Sequence, residues 1–206
     1  MILKVSIPVQ SSLLEKLPMN TAAGEWFRVR TVFWNIGINH EATLASSIGD
    51  ITLEENINKN ALAETQAYVA SLGEKLTNKQ NVEELLLELH KVVTACPSKK
   101  NTVIYPRVMA LNTALGATSI LACKSGKDRT SMAVTLEEGR LLKENCGISQ
   151  QQTTEIIDCL RKDGVRRENC RKNVGKAIYS FSPFQMHFLP KEFRPPNGTY
   201  AQKVAS

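Results

Sequence analysis

The sequence has no long hydrophobic run, since no stretch approaches the roughly 18 consecutive apolar residues that a membrane helix requires. Its start, MILKVSIPVQSSLLEK, lacks the charged beginning, continuous apolar segment and small-residue cleavage site of a secretory signal. The five cysteines form no CxxC pair, and an odd number in a chain without a signal argues against a disulfide framework. These absences predict a cytoplasmic protein with reduced thiols and exclude a spanning segment.

Spacings typical of a metal site are also missing. The histidines His40, His90 and His187 lie far apart, and neither they nor the cysteines have the spacing of zinc ligands. No repeat, low-complexity stretch or Gly/Ser/Pro-rich linker divides the 206 residues. We therefore expect no metal or cofactor, and a single domain over 1–206 with its core at about 25–180 and an irregular C-terminal extension over 181–206.

Positive charge is concentrated in the second half of the chain. Residues 1–98 carry 8 Lys/Arg against 11 Asp/Glu, whereas residues 99–206 carry 18 against 9. This excess predicts an anionic partner, either a nucleic acid, a membrane surface or a phosphorylated small molecule, and the alternative is a solvated surface that only keeps the protein in solution.

The most basic segment, residues 161–176, has seven Lys/Arg and two acids, with no aromatic residues interleaved. The missing aromatics argue against nucleic acid as the partner. The segment is either a charged helix end and loop, or a contact for anionic lipid head groups or a remote phosphate of a substrate.

Helical periodicity is clearest after the candidate caps Asn78 and Asn81. Six apolar residues follow at steps of three and four before Pro97 ends the pattern: Val82, Leu85, Leu86, Leu89, Val92 and Val93. The spacing predicts an amphipathic core helix.

Helices are also predicted over 104–115, closed by a left-handed Gly116, over 131–144, and from Ser149 to Gly164. Segments rich in β-branched and aromatic residues predict strands over 2–9, 25–36 and 117–122. The last of these strands runs directly into the polar sequence CKSGKDRT, residues 123–130.

A loop that ends a strand and opens a helix presents several backbone N–H groups to one point, beside the positive end of the helix dipole. Such a loop is an anion cradle, to which Ser125 and Gly126 would contribute. Cys123 and Arg129 have the C-x5-R spacing in which a guanidinium grips the oxygens of a phosphoryl group. The helix N-terminus and the cations Lys124, Lys127 and Arg129 would favour the Cys123 thiolate, a competent nucleophile; the alternative is a structural thiol at a strand end.

The remaining loop residues suggest further roles. Asp128 could protonate the leaving oxygen, since no Asp occurs between residues 51 and 127; alternatively it orients Arg129 or a head-group hydroxyl, and a Glu or water supplies the proton. Lys124 and Lys127 would provide cations for a substrate with several phosphates, unless they are solvated. Thr130 would place a hydroxyl beside the cysteine sulfur, or is simply a first-turn helix residue.

CKSGKDRT resembles the active-site loop of the inositol polyphosphate 4-phosphatases and of related bacterial effector inositide phosphatases. FWNIGINHEATLA, residues 33–45, is similar to the FNxGxNExxTLA segment that precedes the loop in that family. Residues 166–200 also resemble the tail of the animal 4-phosphatases, which favours that branch. The likeness covers about 33–200.

The resemblance implies a cysteine-dependent phosphatase of the protein tyrosine phosphatase-like α/β fold, with a central sheet flanked by helices. It implies removal of the 4-phosphate from phosphatidylinositol 3,4-bisphosphate, or from inositol 3,4-bisphosphate or 1,3,4-trisphosphate, through a phosphocysteine. Cys123 would be the nucleophile and Arg129 the phosphate clamp, with Lys124 and Lys127 as inositide contacts. An Asp before the Arg also occurs in myotubularin and Sac-type phosphatases, which supports Asp128 as the acid.

Two departures from the family accompany the resemblance. Gly126 replaces the alanine usual in animal members, and the lipid-binding β-sandwich domain with which the family proteins begin is missing, which suggests a catalytic fragment or a short form. The expected partners are a phosphoinositide lipid or soluble inositol phosphate and, peripherally, an anionic endosomal or plasma membrane surface, without nucleic acid. The alternatives are a dual-specificity or tyrosine phosphatase, and a catalytically weak phosphoinositide-binding module.

Overall fold

The computed structural model of the protein describes residues 4–17, 19–26, 29–36, 52–96, 101–181 and 183–200. The chain divides into two units, Met1–Val32 and Phe33–Ser206. The first unit contains two short helices, α1 (Ser11–Leu14) and α2 (Met19–Ala22). Within it, the Lys4 ammonium lies 5.0 Å from the ring centroid of Trp26, a cation–π distance.

In the second unit, the regular secondary structure of the described residues is helical. Its five long helices are α3 (Thr52–Leu72), α4 (Lys79–Ala95), α5 (Ile104–Leu115), α6 (Asp128–Cys146) and α7 (Gln150–Asp163). Three short helices follow, α8 (Val165–Asn169), α9 (Arg171–Val174) and α10 (Pro183–Phe188), and 3-10 turns occupy Gly73–Lys75 and Lys191–Phe193.

The predicted central sheet is wrong, because no β-strand occurs in the part of the chain that the structure describes. The described parts of the three predicted strands have no regular secondary structure and form no ladder; an isolated bridge joins Tyr179 and Tyr200 instead. In the segment before the loop over 123–130, Ile120 is 88% exposed. β-Branched composition favours extended backbone, but a strand also requires a neighbouring backbone with which to pair.

The predicted helices are confirmed. Helix α4 buries Val82, Leu89 and Val93, as its periodicity indicates. Asn78 occupies the N-cap position, but its side chain donates to the carbonyl of Ala114 (2.9 Å) rather than capping the helix. Helix α5 ends at a left-handed Gly116 with φ +64°.

The helix predicted from Ser149 has a complete capping box. The Ser149 hydroxyl accepts from the Gln152 backbone N–H, and the Gln152 side chain accepts from the Ser149 N–H in return. Helix α7 packs on α6 at Gly139, where an added Cβ would lie 2.5 Å from Ile157. The absence of a side chain at Gly139 therefore allows this close helix contact.

The buried residues form two clusters. One lies among α3, α4 and α5 and contains Leu62, Val69, Val82, Leu89, Val93, Ile104, Val108 and Leu111. The other joins α5, α6 and the C-terminal stretch and contains Tyr105, Met109, Met132, Ala133, Cys170, Tyr179, Phe181, Leu189 and Phe193. Three of its members come from residues 181–206, so this extension supplies core side chains. The prediction that the extension is irregular is wrong in part, because it contains α10 and the 3-10 turn over Lys191–Phe193.

The C-terminal stretch is also fastened by Arg161, whose side chain is only 3% exposed. Its guanidinium donates to the Thr135 hydroxyl (2.9 Å) and the Met132 carbonyl (3.0 Å) on α6. It also donates to the carbonyls of Glu192 (2.7 Å) and Arg194 (3.0 Å). Arg161 thus connects α7, α6 and the C-terminal stretch, and this packing supports the start of α6, where the candidate site lies.

Candidate active site

The loop between Cys123 and α6 makes a tight turn. Gly126 has φ +65°, a left-handed conformation that costs little only for glycine, and its N–H donates to the Cys123 carbonyl (3.2 Å). The Lys127 carbonyl accepts from the backbone N–H (2.7 Å) and hydroxyl (2.5 Å) of Ser131, which fixes the first turn of α6. The loop thus turns directly into a helix N-terminus, as the sequence predicts.

Hydrogen-bond donors surround the sulfur of Cys123. The Thr130 hydroxyl lies 3.1 Å from Sγ, and the backbone N–H groups of Ser125, Lys127 and Thr130 also point to it. Burial acts to raise the pKa of this thiol, but the Thr130 hydroxyl and the three N–H groups outweigh it and lower the pKa to about 7. The thiolate is therefore well populated near neutral pH, the condition that a nucleophilic cysteine needs.

Asp128 lies inside the protein, 9% exposed. Its Oδ1 accepts from the backbone N–H of Ser180 (2.9 Å), and its carboxyl contacts the Cys170 thiol. Burial and the nearby Asp128 raise the pKa of Cys170 to about 12, so Cys170 stays protonated at neutral pH. The structure therefore connects Asp128 to the region just before the C-terminal stretch as well as to the loop.

The cationic residues of the loop differ in exposure. Lys124 is exposed, beside an exposed Ser125, whereas Lys127 and Arg129 are partly buried. Arg129 is the second residue of α6. The loop thus presents Lys124 to solvent and keeps Lys127 and Arg129 closer to the protein body.

Arg166 is a contact of the loop that the sequence analysis missed. Its Nη2 donates to the Gly126 carbonyl (3.1 Å). Arg166 belongs to the basic segment 161–176, which was flagged for its charge, but composition does not tell which arginine of the segment reaches the loop. Ser180 was missed as well, because it is a backbone contact and leaves no signal in the sequence.

The motif over 33–45 is described only in its first residues. The backbone N–H and carbonyl of Asn35 form a two-way pair with the Asn58 side chain, both at 2.8 Å. Asn58 is 1% exposed on α3, so the motif is tied to a buried amide there. Gly37 and Asn39 lie outside the described residues.

Among the described residues, no group of three His, Cys, Asp or Glu side chains is placed to hold a metal ion. Within the same ranges, no helix has the length and apolar character needed to cross a membrane.

A comparison with known protein families decides the affiliation of the chain. The model described as the INPP4A C-terminal domain matches residues 2–193, nearly the whole sequence. The chain belongs to this family. The resemblance inferred from the loop and from the motif over 33–45 is therefore confirmed.

Two relatives of the chain have names that describe inositol phosphate 4-phosphatases. The chain is 32% identical over 206 residues to the type II inositol 3,4-bisphosphate 4-phosphatase of Rattus norvegicus, and 33% identical over 205 residues to the inositol polyphosphate 4-phosphatase type II of Homo sapiens. Each match covers 96% of the chain and 22% of the relative, so the chain spans about a fifth of their length.

A shorter match relates the domain to a protein with a different name. It is 38% identical over 61 residues to the phosphatidylinositol 3,4,5-trisphosphate-dependent Rac exchanger 2 protein of Homo sapiens, covering 30% of the chain and 4% of that protein. No solved structure matches the chain.

Proposed function

We propose that the chain carries the phosphatase centre of a phosphoinositide 4-phosphatase that removes the 4-phosphate of phosphatidylinositol 3,4-bisphosphate, or of the corresponding soluble inositol phosphates. The observation that carries the proposal is the set of four hydrogen-bond donors around the Cys123 sulfur, at a helix N-terminus and within a C-x5-R loop. The names of the two relatives that match 96% of the chain support the substrate class.

The reaction proposed has two steps. The Cys123 thiolate attacks phosphorus and forms an S–P bond while the bond from phosphorus to the inositol oxygen breaks. Arg129 and the loop N–H groups stabilise the charge on the phosphoryl oxygens during this transfer. Water then attacks the phosphocysteine, the S–P bond breaks, and inorganic phosphate leaves with the thiolate restored.

The leaving inositol oxygen needs a proton, and Asp128 is the proposed acid. Its hydrogen bond from Ser180 supports a second task for the same carboxyl, holding the loop against the residues that follow. Replacement by asparagine separates the two tasks, since an amide oxygen still accepts from the Ser180 N–H but the amide has no acidic proton to give.

The loop lysines are proposed to contact the inositide. Lys124 is exposed and next to the nucleophile, which suits a phosphate on the same inositol ring. The backbone of Ser125 and Gly126 and the Thr130 hydroxyl complete the proposed binding site. Exposed lysines at 162, 172 and 176 would support peripheral contact with an anionic endosomal or plasma membrane surface.

The test is phosphate release by the chain and its variants, with a chelator present. The substrates are soluble phosphatidylinositol 3,4-bisphosphate, its 3,5 and 4,5 isomers, and a phosphotyrosine peptide. We expect release from the 3,4 isomer alone, a loss of about a thousandfold or more in Cys123→Ser, and a loss of about a hundredfold in Asp128→Asn if Asp128 is the acid. Cys159→Ser, which changes an exposed cysteine, is the matched control and should be fully active.

Other outcomes assign other functions. Release from the phosphotyrosine peptide with similar efficiency would favour a dual-specificity phosphatase. A binding module would be favoured if the folded chain releases phosphate from none of the substrates and if the wild type and Cys123→Ser bind phosphoinositide vesicles equally. The binding module is the second candidate function because the chain matches, over 61 residues, a protein whose name states that it depends on a phosphoinositide.

A further inference from the structure

The carbonyl of Gly126 is held by a side chain from outside the loop. Arg166 donates from Nη2 to this oxygen over 3.1 Å. Arg166 lies 40 residues further along the chain, on the short helix α8, so the contact joins the loop to a separate element. It is therefore a tertiary restraint on the loop.

The geometry of the peptide group gives this restraint a consequence. The Gly126 carbonyl and the Lys127 N–H belong to one planar trans peptide unit, in which C=O and N–H point in opposite directions. The Lys127 N–H is one of the three backbone donors to the Cys123 sulfur. A guanidinium that holds the oxygen on one side therefore orients the N–H towards the sulfur on the other.

The turn at Gly126 makes such a restraint useful. With φ +65° and no neighbouring atoms within 4 Å of the place a Cβ would take, Gly126 has no side chain to limit its backbone. Glycine has the widest backbone freedom of all residues. A hydrogen bond from outside the loop therefore restrains this peptide unit more than it would restrain one that follows another residue type.

Helix α8 is itself firmly placed. At Gly164, which precedes it, an added Cβ would lie 2.3 Å from the Leu160 carbonyl oxygen, so only glycine permits this close turn after α7. Arg167 donates to the carbonyls of Ala177 and Lys162, both at 2.7 Å, and Cys170 is fully buried beyond it. These contacts fix the backbone of the helix that carries Arg166.

The Arg166 guanidinium is only partly paired. Its Nε is buried and has no hydrogen-bond partner among the described residues. An unpaired buried donor is unfavourable, so the contact with the Gly126 carbonyl is made at a cost to the Arg166 side chain.

We propose that Arg166 is a positioning residue that orients the Gly126–Lys127 peptide group so that its N–H donates to the Cys123 sulfur. The proposal rests on the proposed function for its purpose, the poising of a nucleophile, but not for its test. The other charged groups of the loop and the first turn of α6 are Lys124, Lys127, Asp128 and Arg129, and all of them remain in the variants below.

The experiment measures alkylation of Cys123 by iodoacetamide against pH, in the full chain without substrate. The tryptic peptide 108–124 contains no other cysteine, so mass spectrometry reads Cys123 alone. For the wild type we expect a midpoint near pH 7, the pKa of the thiol. For Arg166→Met we expect the midpoint to rise by about one unit, which makes alkylation at pH 7 about fivefold slower.

Two further variants separate the alternatives. Arg166→Lys keeps the charge and one donor but not the planar guanidinium, so its midpoint should lie between those of the wild type and Arg166→Met. Arg171→Met removes an arginine of the same basic segment that is exposed and paired with Glu168, and it should titrate as the wild type does. The melting temperature of each variant confirms that it is folded.

An unchanged midpoint in folded Arg166→Met would overturn the proposal, and so would an equal shift in Arg171→Met, which would indicate a general effect of charge. If Arg166→Met does not fold, Arg166→Lys decides, and an unshifted midpoint there overturns the proposal. Phosphate release is measured in parallel. A shifted midpoint in a chain that hydrolyses no inositide would leave the positioning role intact and contradict the proposed function instead.

Discussion

At the scale of single residues, Thr130 has a defined task, since its hydroxyl is the side-chain donor nearest to the Cys123 sulfur at 3.1 Å. It favours the thiolate, and the folded pKa of about 7 lies below the ordinary value of 9.0. The stabilisation that follows from a lowered acid pKa is fully present above the unfolded value and is lost as the pH falls through the folded one.

Thr130→Val removes that donor and keeps the shape of the side chain. We expect the variant to lose more unfolding free energy relative to wild type at pH 9 than at pH 6, because at pH 6 the thiol is mostly protonated in both proteins. Urea unfolding at the two pH values measures this difference. Thr130→Ser retains the hydroxyl and should follow the wild type, and a Thr130→Val deficit that is the same at both pH values would show that the hydroxyl does not act on the thiolate.

The loop of the candidate site could be predicted from the sequence, because C-x5-R followed by a helix is a local pattern. The hydroxyl of Thr130 beside the sulfur could also be anticipated, since the first turn of α6 returns towards the loop. The contacts of Asp128 with Ser180 and of Gly126 with Arg166 could not, because each joins residues at least 40 positions apart through a backbone group. Backbone groups are the same at every position and leave no trace in composition.

At the scale of elements, the helices could be predicted because their apolar periodicity, their glycine ends and the Ser149 cap act within a few residues. The strand predictions failed in the described residues, because extended backbone is stabilised by a neighbouring backbone that the local sequence does not specify. The packing of one helix on another also depends on contacts between residues far apart in the sequence. It was not evident from the sequence that Gly139 would face Ile157 across the contact of α6 and α7.

Gly139→Ala tests that contact. Alanine is the better helix former by about 1 kcal/mol, but its Cβ would lie 2.5 Å from Ile157, and the overlap should outweigh the gain by about 1 to 2 kcal/mol. Urea unfolding measures the loss. In an Ile157→Ala background both atoms that the new Cβ would meet, Cγ1 and Cδ1, are absent, so the same substitution should cost less there; an equal cost in both backgrounds would contradict the contact as its cause.

At the scale of the whole second unit, the candidate site depends on α6 being fixed between α7 and the C-terminal stretch. The C-terminal stretch contributes Phe181, Leu189 and Phe193 to the core that also contains Met132 of α6. The irregular composition of this stretch predicts no regular element, but the stretch contains α10 and a 3-10 turn, and its Phe181 and Phe193 are buried. Core membership here follows from side-chain apolarity rather than from secondary structure.

Arg161 is the polar counterpart of that core. Burial lowers the pKa of its guanidinium to about 10, with partial compensation from nearby acidic groups, so the side chain is still charged at neutral pH. Its hydrogen bonds reach an oxygen of Thr135 and carbonyls on α6 and in the C-terminal stretch. No single shorter side chain can reach all of these acceptors from the same position.

Arg161→Lys should therefore lower the free energy of unfolding by about 2 to 4 kcal/mol, because the ammonium keeps the charge but leaves part of the buried acceptors without a donor. Arg171→Lys, at an exposed pair with Glu168, should change it by less than about 0.5 kcal/mol. Urea unfolding compares the two. Limited proteolysis adds the location: if Arg161 fastens the C-terminal stretch, cleavage within 183–200 should precede cleavage in α4 and α5 for Arg161→Lys alone. Equal stability of the two variants would mean that the apolar cluster holds this stretch without the guanidinium.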